Sequence, residues 1–219
     1  MTVSLFTAIF DRYDTPKPLP DGHGFDEAIM FVDNSVKPAE GWSSRFHNNI
    51  VHPRLDAKRP KMMPFNFTNA DICVWIDGSF EIVDIGFKDF CVDALGDKDF
   101  IVWQHPDIAI RDCLYKEAQF CQDWPKYKNQ PIREQVEFYR SEGMPENFGL
   151  WACGTIVWRN TEMAKAFGEE WFMQNQRWSI QDQISFPYLV WKMQPNFGVF
   201  PDHEYDNRFI NWVKHNSEL

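Results

Sequence analysis

The sequence predicts an α/β fold in one domain spanning residues 1–219. Three observations predict it. Short apolar runs of strand length recur and end in acidic or turn residues, and segments with helical spacing lie between and after them. A chain of this length also suits one domain that buries about 70 to 75% of its unfolded surface.

The strands are expected at Val3 to Phe10, Ala28 to Val32, Ile72 to Ile76, Phe100 to Trp103 and Thr155 to Trp158. Helices are expected at Phe87 to Leu95, at Ala109 to Gln122, at Ile132 to Arg140 behind Pro131, and at Thr161 to Met173. In the second of these, Ile110, Cys113, Leu114, Ala118 and Cys121 share one face, which makes both cysteines core residues. Thr15 to Gly24 and Lys37 to Pro64, rich in Pro, Gly and charge, are expected as long loops, where binding residues tend to sit. No repeat or interdomain linker interrupts the pattern.

The composition, 44% hydrophobic and 25% charged, is globular, and no apolar run approaches the roughly 20 residues that cross a bilayer. The N-terminal MTVSLFTAIFDRYD lacks a basic flank and a small-residue cleavage site, so it reads as a first strand, and a cytoplasmic location is expected. Five cysteines without a CxxC pair suggest neither a disulfide framework nor a thiolate zinc site. A formal charge of -10 repels phosphate backbones, which makes nucleic acid a poor partner.

Chemistry is expected at the strand ends, because an open α/β sheet takes its ligand outside the carboxyl ends of its strands. ADICVWIDGSF places Asp77 and Gly78 at such an end. The carboxylate suits a divalent cation bridging a diphosphate, and it equally suits a turn cap after a strand. Asp11 to Asp14 and Asp33 follow the first two strands, and such acids can bind a ribose or base edge. Neither GxGxxG nor a P-loop occurs, so bound phosphates would need a metal or basic side chains. HPRLDAKRPK supplies Arg54, Lys58, Arg59 and Lys61; it is either a solvated charge run or, if helical, a segment with Lys58 and Lys61 on one face. In WSIQDQISFPYLVWK, Ser179 and Asp182 fit a helix cap, while Asp182 with Gln183 could also bind or activate a hydroxyl. His203 is either a surface residue or a metal ligand. The ten tryptophans divide between core and a sugar-binding cleft in a proportion that composition does not fix.

Taken in order, these pieces resemble a family of GT-A-fold glycosyltransferases known from bacterial carbohydrate clusters and plant Golgi proteins. FTAIFDRYD (Phe6 to Asp14), Phe31-Val32-Asp33, the basic residues Arg54, Lys58 and Lys61, VWIDGSFEI, QHPDIAIRDCLYKEA, GLWACGTIVWRN and DQISFPYLVWK carry the likeness over nearly the whole chain. The resemblance implies a mixed, mostly parallel central sheet flanked by helices, and transfer of a sugar from a nucleotide-diphosphate sugar to an acceptor hydroxyl. It implies a divalent metal (manganese or magnesium), with Asp77 standing in the DxD role; His203 is expected beside it from its own position after a strand-like run. Thr7, Tyr13 and Asp33 would hold the nucleotide, Lys58, Lys61 and Arg111 the phosphate charge, and Asp182 with Gln183 the acceptor or donor hydroxyls. The acceptor would be a glycan, a protein or a small molecule. Ser79 stands where a second aspartate is usual, and Gln181 where the family tends to have arginine. A base in DNA as acceptor, and an inactive sugar-binding module, are the competing expectations.

Overall fold

The computed structural model describes residues 1–47 and 52–215. Among them the strands are β1 (Val3–Ile9), β2 (Glu27–Val32), β3 (Ser43–Phe46), β4 (Ile72–Ile76), β5 (Phe80–Ile82), β6 (Phe100–Gln104), β7 (Trp151–Arg159), β8 (Phe197–Val199) and β9 (Ile210–Trp212). The helices are α1 (Pro53–Met62), α2 (Phe87–Leu95), α3 (Leu114–Gln122), α4 (Ile132–Ser141), α5 (Glu162–Arg177) and α6 (Asp182–Met193). Seven strands form one sheet in the order β3-β2-β1-β4-β7-β6-β8, and β5 pairs with β9 in a small ribbon. Every pairing in the large sheet is parallel except those of β7, which runs antiparallel to β4 and β6. This is the mixed, mostly parallel sheet that was expected.

Because side chains alternate across a strand, each buried strand feeds two cores. Phe6 and Trp75 point into the larger one, with Phe167 and Trp171 of α5 and Phe186 of α6. Leu5, Val74 and Ile76 point into the other, against Phe87, Cys91 and Leu95 of α2. Trp103, Trp158 and Trp171 are wholly buried and Trp124 is exposed, so the tryptophans do divide between core and surface. All five cysteines are buried thiols.

Three expectations are corrected. The segment expected as a loop from Lys37 to Pro64 contains β3 and α1; Pro53 opens that helix, its missing N–H costing nothing in the first turn, and His52 Nδ1 caps it by accepting from Leu55 N. The helix expected from Ala109 begins at Leu114, since Asp107 O accepts from both Ile110 N and Arg111 N in a tight turn and Cys113 is extended. Ile110 is therefore 77% exposed instead of buried. Ser179 does not cap α6: its hydroxyl donates to Gln135 Oε1 at 2.5 Å, and the cap position is Gln181.

From β1 the chain moves outward through β2 and β3, then crosses back to place β4 on the other side of β1. The reversal opens a crevice at the carboxyl ends of β1 and β4. Asp77, one residue past β4, is fixed there by its own N–H, which donates to Gly154 O of β7 at 2.7 Å.

Candidate active site at the ends of β1 and β4

A cavity of about 1030 Å³ lies over this crevice, large enough for a nucleotide and a second ligand. Its floor is a buried charge network. Lys58 and Lys61 share a face of α1, as their spacing allows. Lys61 Nζ stands 2.8 Å from Asp182 Oδ2 and 3.1 Å from Asp77 Oδ1, and Lys58 Nζ stands 2.9 Å from the same Asp182 oxygen. Trp75 Nε1 donates to Asp77 Oδ1 at 2.6 Å, which fixes the carboxylate from the strand side. Burial alone would push the Asp182 carboxyl up and the Lys61 ammonium down. The opposite charges outweigh it, holding Asp182 well below the usual carboxylate range and Lys61 well above the usual lysine range. Lys58 is the weaker partner, its pKa drawn down by burial against the pull of Asp182. Asp182 also opens α6, where the helix dipole favours a negative charge.

A glycine, Gly78, follows Asp77. The structure supplies an internal reason: a Cβ there would meet Ile9 Cγ1 at 2.8 Å and Asp14 Oδ2 at 3.1 Å, so the glycine lets the β4 end close onto the β1 end. At that β1 end Asp11 and Arg12 have φ of 54° and 55°, a left-handed turn uncommon for side-chain residues. Asp33 holds it, its carboxylate accepting from Asp11 N at 2.7 Å and from the Ser35 N–H and hydroxyl. Tyr13 follows the turn and faces the cavity, its ring 4.8 Å from that of His215.

Of the residues nominated from sequence, Tyr13, Lys58, Lys61, Asp77, Arg111, Asp182, Gln183 and His203 therefore line one cavity. Thr7 and Asp33 do not line it. Thr7 is buried within β1 with its hydroxyl unpartnered among the described residues, and Asp33 shapes the turn that presents Tyr13. Arg111 is ion-paired with Asp107 and, at 2.8 Å, with Glu117, so its charge is already matched. Gln181 accepts from Tyr127 OH at 2.6 Å and donates to Glu117 Oε1 at 2.8 Å and to Gln183 Oε1, tying Gln183 into an amide network at the far end of the cavity.

Sequence reasoning missed Glu204. It chose the neighbouring His203, which is exposed and accepts from Tyr205 N through Nδ1. Glu204 is 2% exposed, lines the cavity, and sits where Gly154 lacks a side chain: a Cβ on Gly154 would lie 2.6 Å from Glu204 Oε1. Burial, and then the nearby Asp77 charge, push its carboxyl up to about 8. The available signal was a glycine inside an otherwise bulky strand, which marks a close approach.

Among the described residues no group of three or more His, Cys, Asp or Glu side chains converges to hold a metal ion. Asp77 Oδ2 nonetheless has no protein partner there, and one carboxylate with substrate phosphates and water is a sufficient set for magnesium. The donor set thus fits a cation that arrives with a diphosphate and does not fit a protein-only cage.

The fold and cavity define an α/β protein with an open cavity at a strand-order switch point. The family described as "TOD1/MUCI70, glycosyltransferase-like domain" matches residues 47–215, and the chain belongs to it. A relative named "Probable hexosyltransferase MUCI70", from Arabidopsis thaliana, is 26% identical over 214 residues, an alignment covering 82% of this chain and 36% of the relative. The chain thus spans about a third of that protein's length. A solved structure of WbbM, a bifunctional glycosyltransferase, is similar with a TM-score of 0.48 and 12% identity, over 91% of this chain and 39% of the other. No helix among the described residues is long and apolar enough to cross a membrane.

Proposed function

We propose that this chain transfers a sugar from a nucleotide-diphosphate sugar to an acceptor hydroxyl at the ends of β1 and β4. Membership in a glycosyltransferase-like family supports glycosyl transfer in general, and the relative's name supports a hexose as the sugar. The observation that carries the donor class is Asp77, which stands at the switch point with one oxygen fixed by Trp75 and Lys61 and the other without a partner among the described residues.

In this reading Tyr13 packs against the base or ribose at the β1 end. Asp77 takes the magnesium or manganese that accompanies the diphosphate, and His203, which lines the same cavity, is the further ligand in this reading. When bound there, the cation would neutralise charge growing on the leaving diphosphate. Lys61, itself anchored by Asp182, holds the Asp77 carboxylate in place. Asp182 is held so strongly in its charged form that it is a poor proton acceptor, which suits it to orienting a hydroxyl. Gln183, held by Gln181, offers a neutral partner to a sugar hydroxyl.

The test is release of nucleoside diphosphate from a panel of nucleotide sugars, with magnesium, manganese or EDTA, beside Asp77→Asn. Metal-dependent release from one donor, with metal affinity in the variant weaker by at least about tenfold to a hundredfold, is the expected result. Wild-type turnover and metal response in the variant would remove Asp77 from this role. Binding of a donor without turnover under any condition would favour a sugar-binding module.

A further inference from the structure

The lysines nominated for phosphate binding are already matched inside the protein. Lys58 and Lys61 together face Asp182 and Asp77, two cations and two carboxylates, and Arg111 faces Glu117 and Asp107. Two other cations line the same cavity and form no ion pair among the described residues: Arg54, in the first turn of α1, and Lys126, in the short 3-10 turn Pro125–Tyr127. They are built as a pair. Arg54 Nη1 donates to Lys126 O at 2.9 Å, and the guanidinium carbon lies 5.2 Å from the Tyr127 ring centroid. Lys126 Nζ lies 4.9 Å from the same ring and 5.0 Å from that of Trp124.

Aromatic faces hold cations through the ring quadrupole but carry no net charge to cancel them. Burial first, and then Arg54 beside it, pull the Lys126 ammonium below its usual range, so two like charges are kept together at a cost. An anion between them would remove that cost. Position says which part of a donor it would be. Burial raises the Tyr13 pKa and the Arg54 charge pulls against it, so Arg54 lies within electrostatic reach of Tyr13 at the β1 end, while Lys126 lies within reach of Asp182 at the α6 end. A group held by both would lie between a nucleotide on Tyr13 and a sugar at Asp182 and Gln183.

We infer that Arg54 and Lys126 form a two-cation cradle for the diphosphate of the donor. This rests on the nucleotide-sugar reading, and the experiment separates the two. Binding of inorganic pyrophosphate, a panel of nucleoside diphosphates and glucuronate is measured by calorimetry in EDTA, so that only protein cations act. The proteins are wild type, Arg54→Met, Lys126→Met and Lys126→Arg, each with its melting temperature recorded. The expected result is that each methionine variant weakens pyrophosphate and nucleoside diphosphate binding by about tenfold to a hundredfold with melting unchanged, and that Lys126→Arg retains it. The salt dependence of binding should also become shallower in the methionine variants. Unchanged diphosphate binding in both methionine variants would overturn the cradle while leaving the donor reading intact. Loss confined to glucuronate would overturn it in favour of an acidic-sugar site. A wild type that binds neither pyrophosphate nor any nucleoside diphosphate in EDTA would overturn the cradle, and the same failure after magnesium or manganese is added would overturn the donor reading as well.

Discussion

Asp182 and Glu204 are both almost wholly buried carboxyl groups lining one cavity, yet they are driven in opposite directions. Asp182, at the start of α6, has two lysine ammonium groups within 3 Å and stays ionised. Glu204, on the segment leading into β9, has no ion pair among the described residues and Asp77 as a like-charged neighbour, so it holds its proton near neutrality. Burial penalises the charge equally in kind; the partner decides which form survives. Two carboxyl groups set apart in this way give one site a permanently charged group and one able to exchange a proton near neutral pH.

The most severe way to break this contrast is Lys61→Met, which leaves Asp77 without its cation and Asp182 with only Lys58. Breaking a buried pair in this way costs about 3–5 kcal/mol. Chemical denaturation should show that loss, and an unchanged midpoint would mean that the network is not buried in solution. On the other side, Gly154→Ala drives a methyl group into Glu204 and Phe80, and overpacking of that kind costs about 1–3 kcal/mol. Thermal unfolding of the variant is the check.

The pH dependence of stability sharpens the comparison. Between about pH 4.5 and 8 the native state keeps the Glu204 proton that the unfolded chain has released. The contribution is therefore complete below pH 4.5 and is lost as pH rises through about 8, at up to about 1.4 kcal/mol per pH unit. Glu204→Gln should flatten that slope in urea titrations across the range. Asp182 acts with the opposite sign, losing its contribution only as strong acid protonates it. The smallest expected effect is Tyr127→Phe, which removes the hydroxyl donor to Gln181 and should cost about 0.5–1.5 kcal/mol, with weaker substrate affinity if Gln183 is thereby loosened.

Much of the fold was legible along the chain because strands buried on both faces are continuous apolar runs bounded by turn residues. β1, β2, β4 and β6 and the helix α2 lie where the runs place them. α1 was not recognised because its sequence has no strong apolar face and carries a proline at position 60; Pro53 was the local sign of its start. β5, β8 and β9 are three-residue strands whose existence depends on a partner distant in sequence. In the site, the sequence by itself determined that acidic residues end the strands, and it placed Lys58 and Lys61 on one face only on condition that their segment is helical, a condition the structure supplied. Only the tertiary structure decided which carboxylate each lysine meets, that Thr7 and Asp33 fall outside the cavity, and that Glu204 and not His203 is the buried group. It also decided that Arg54 and Lys126 form no ion pair among the described residues. Charge pairing and desolvation depend on distances between elements that lie tens of residues apart, and no local pattern encodes those distances.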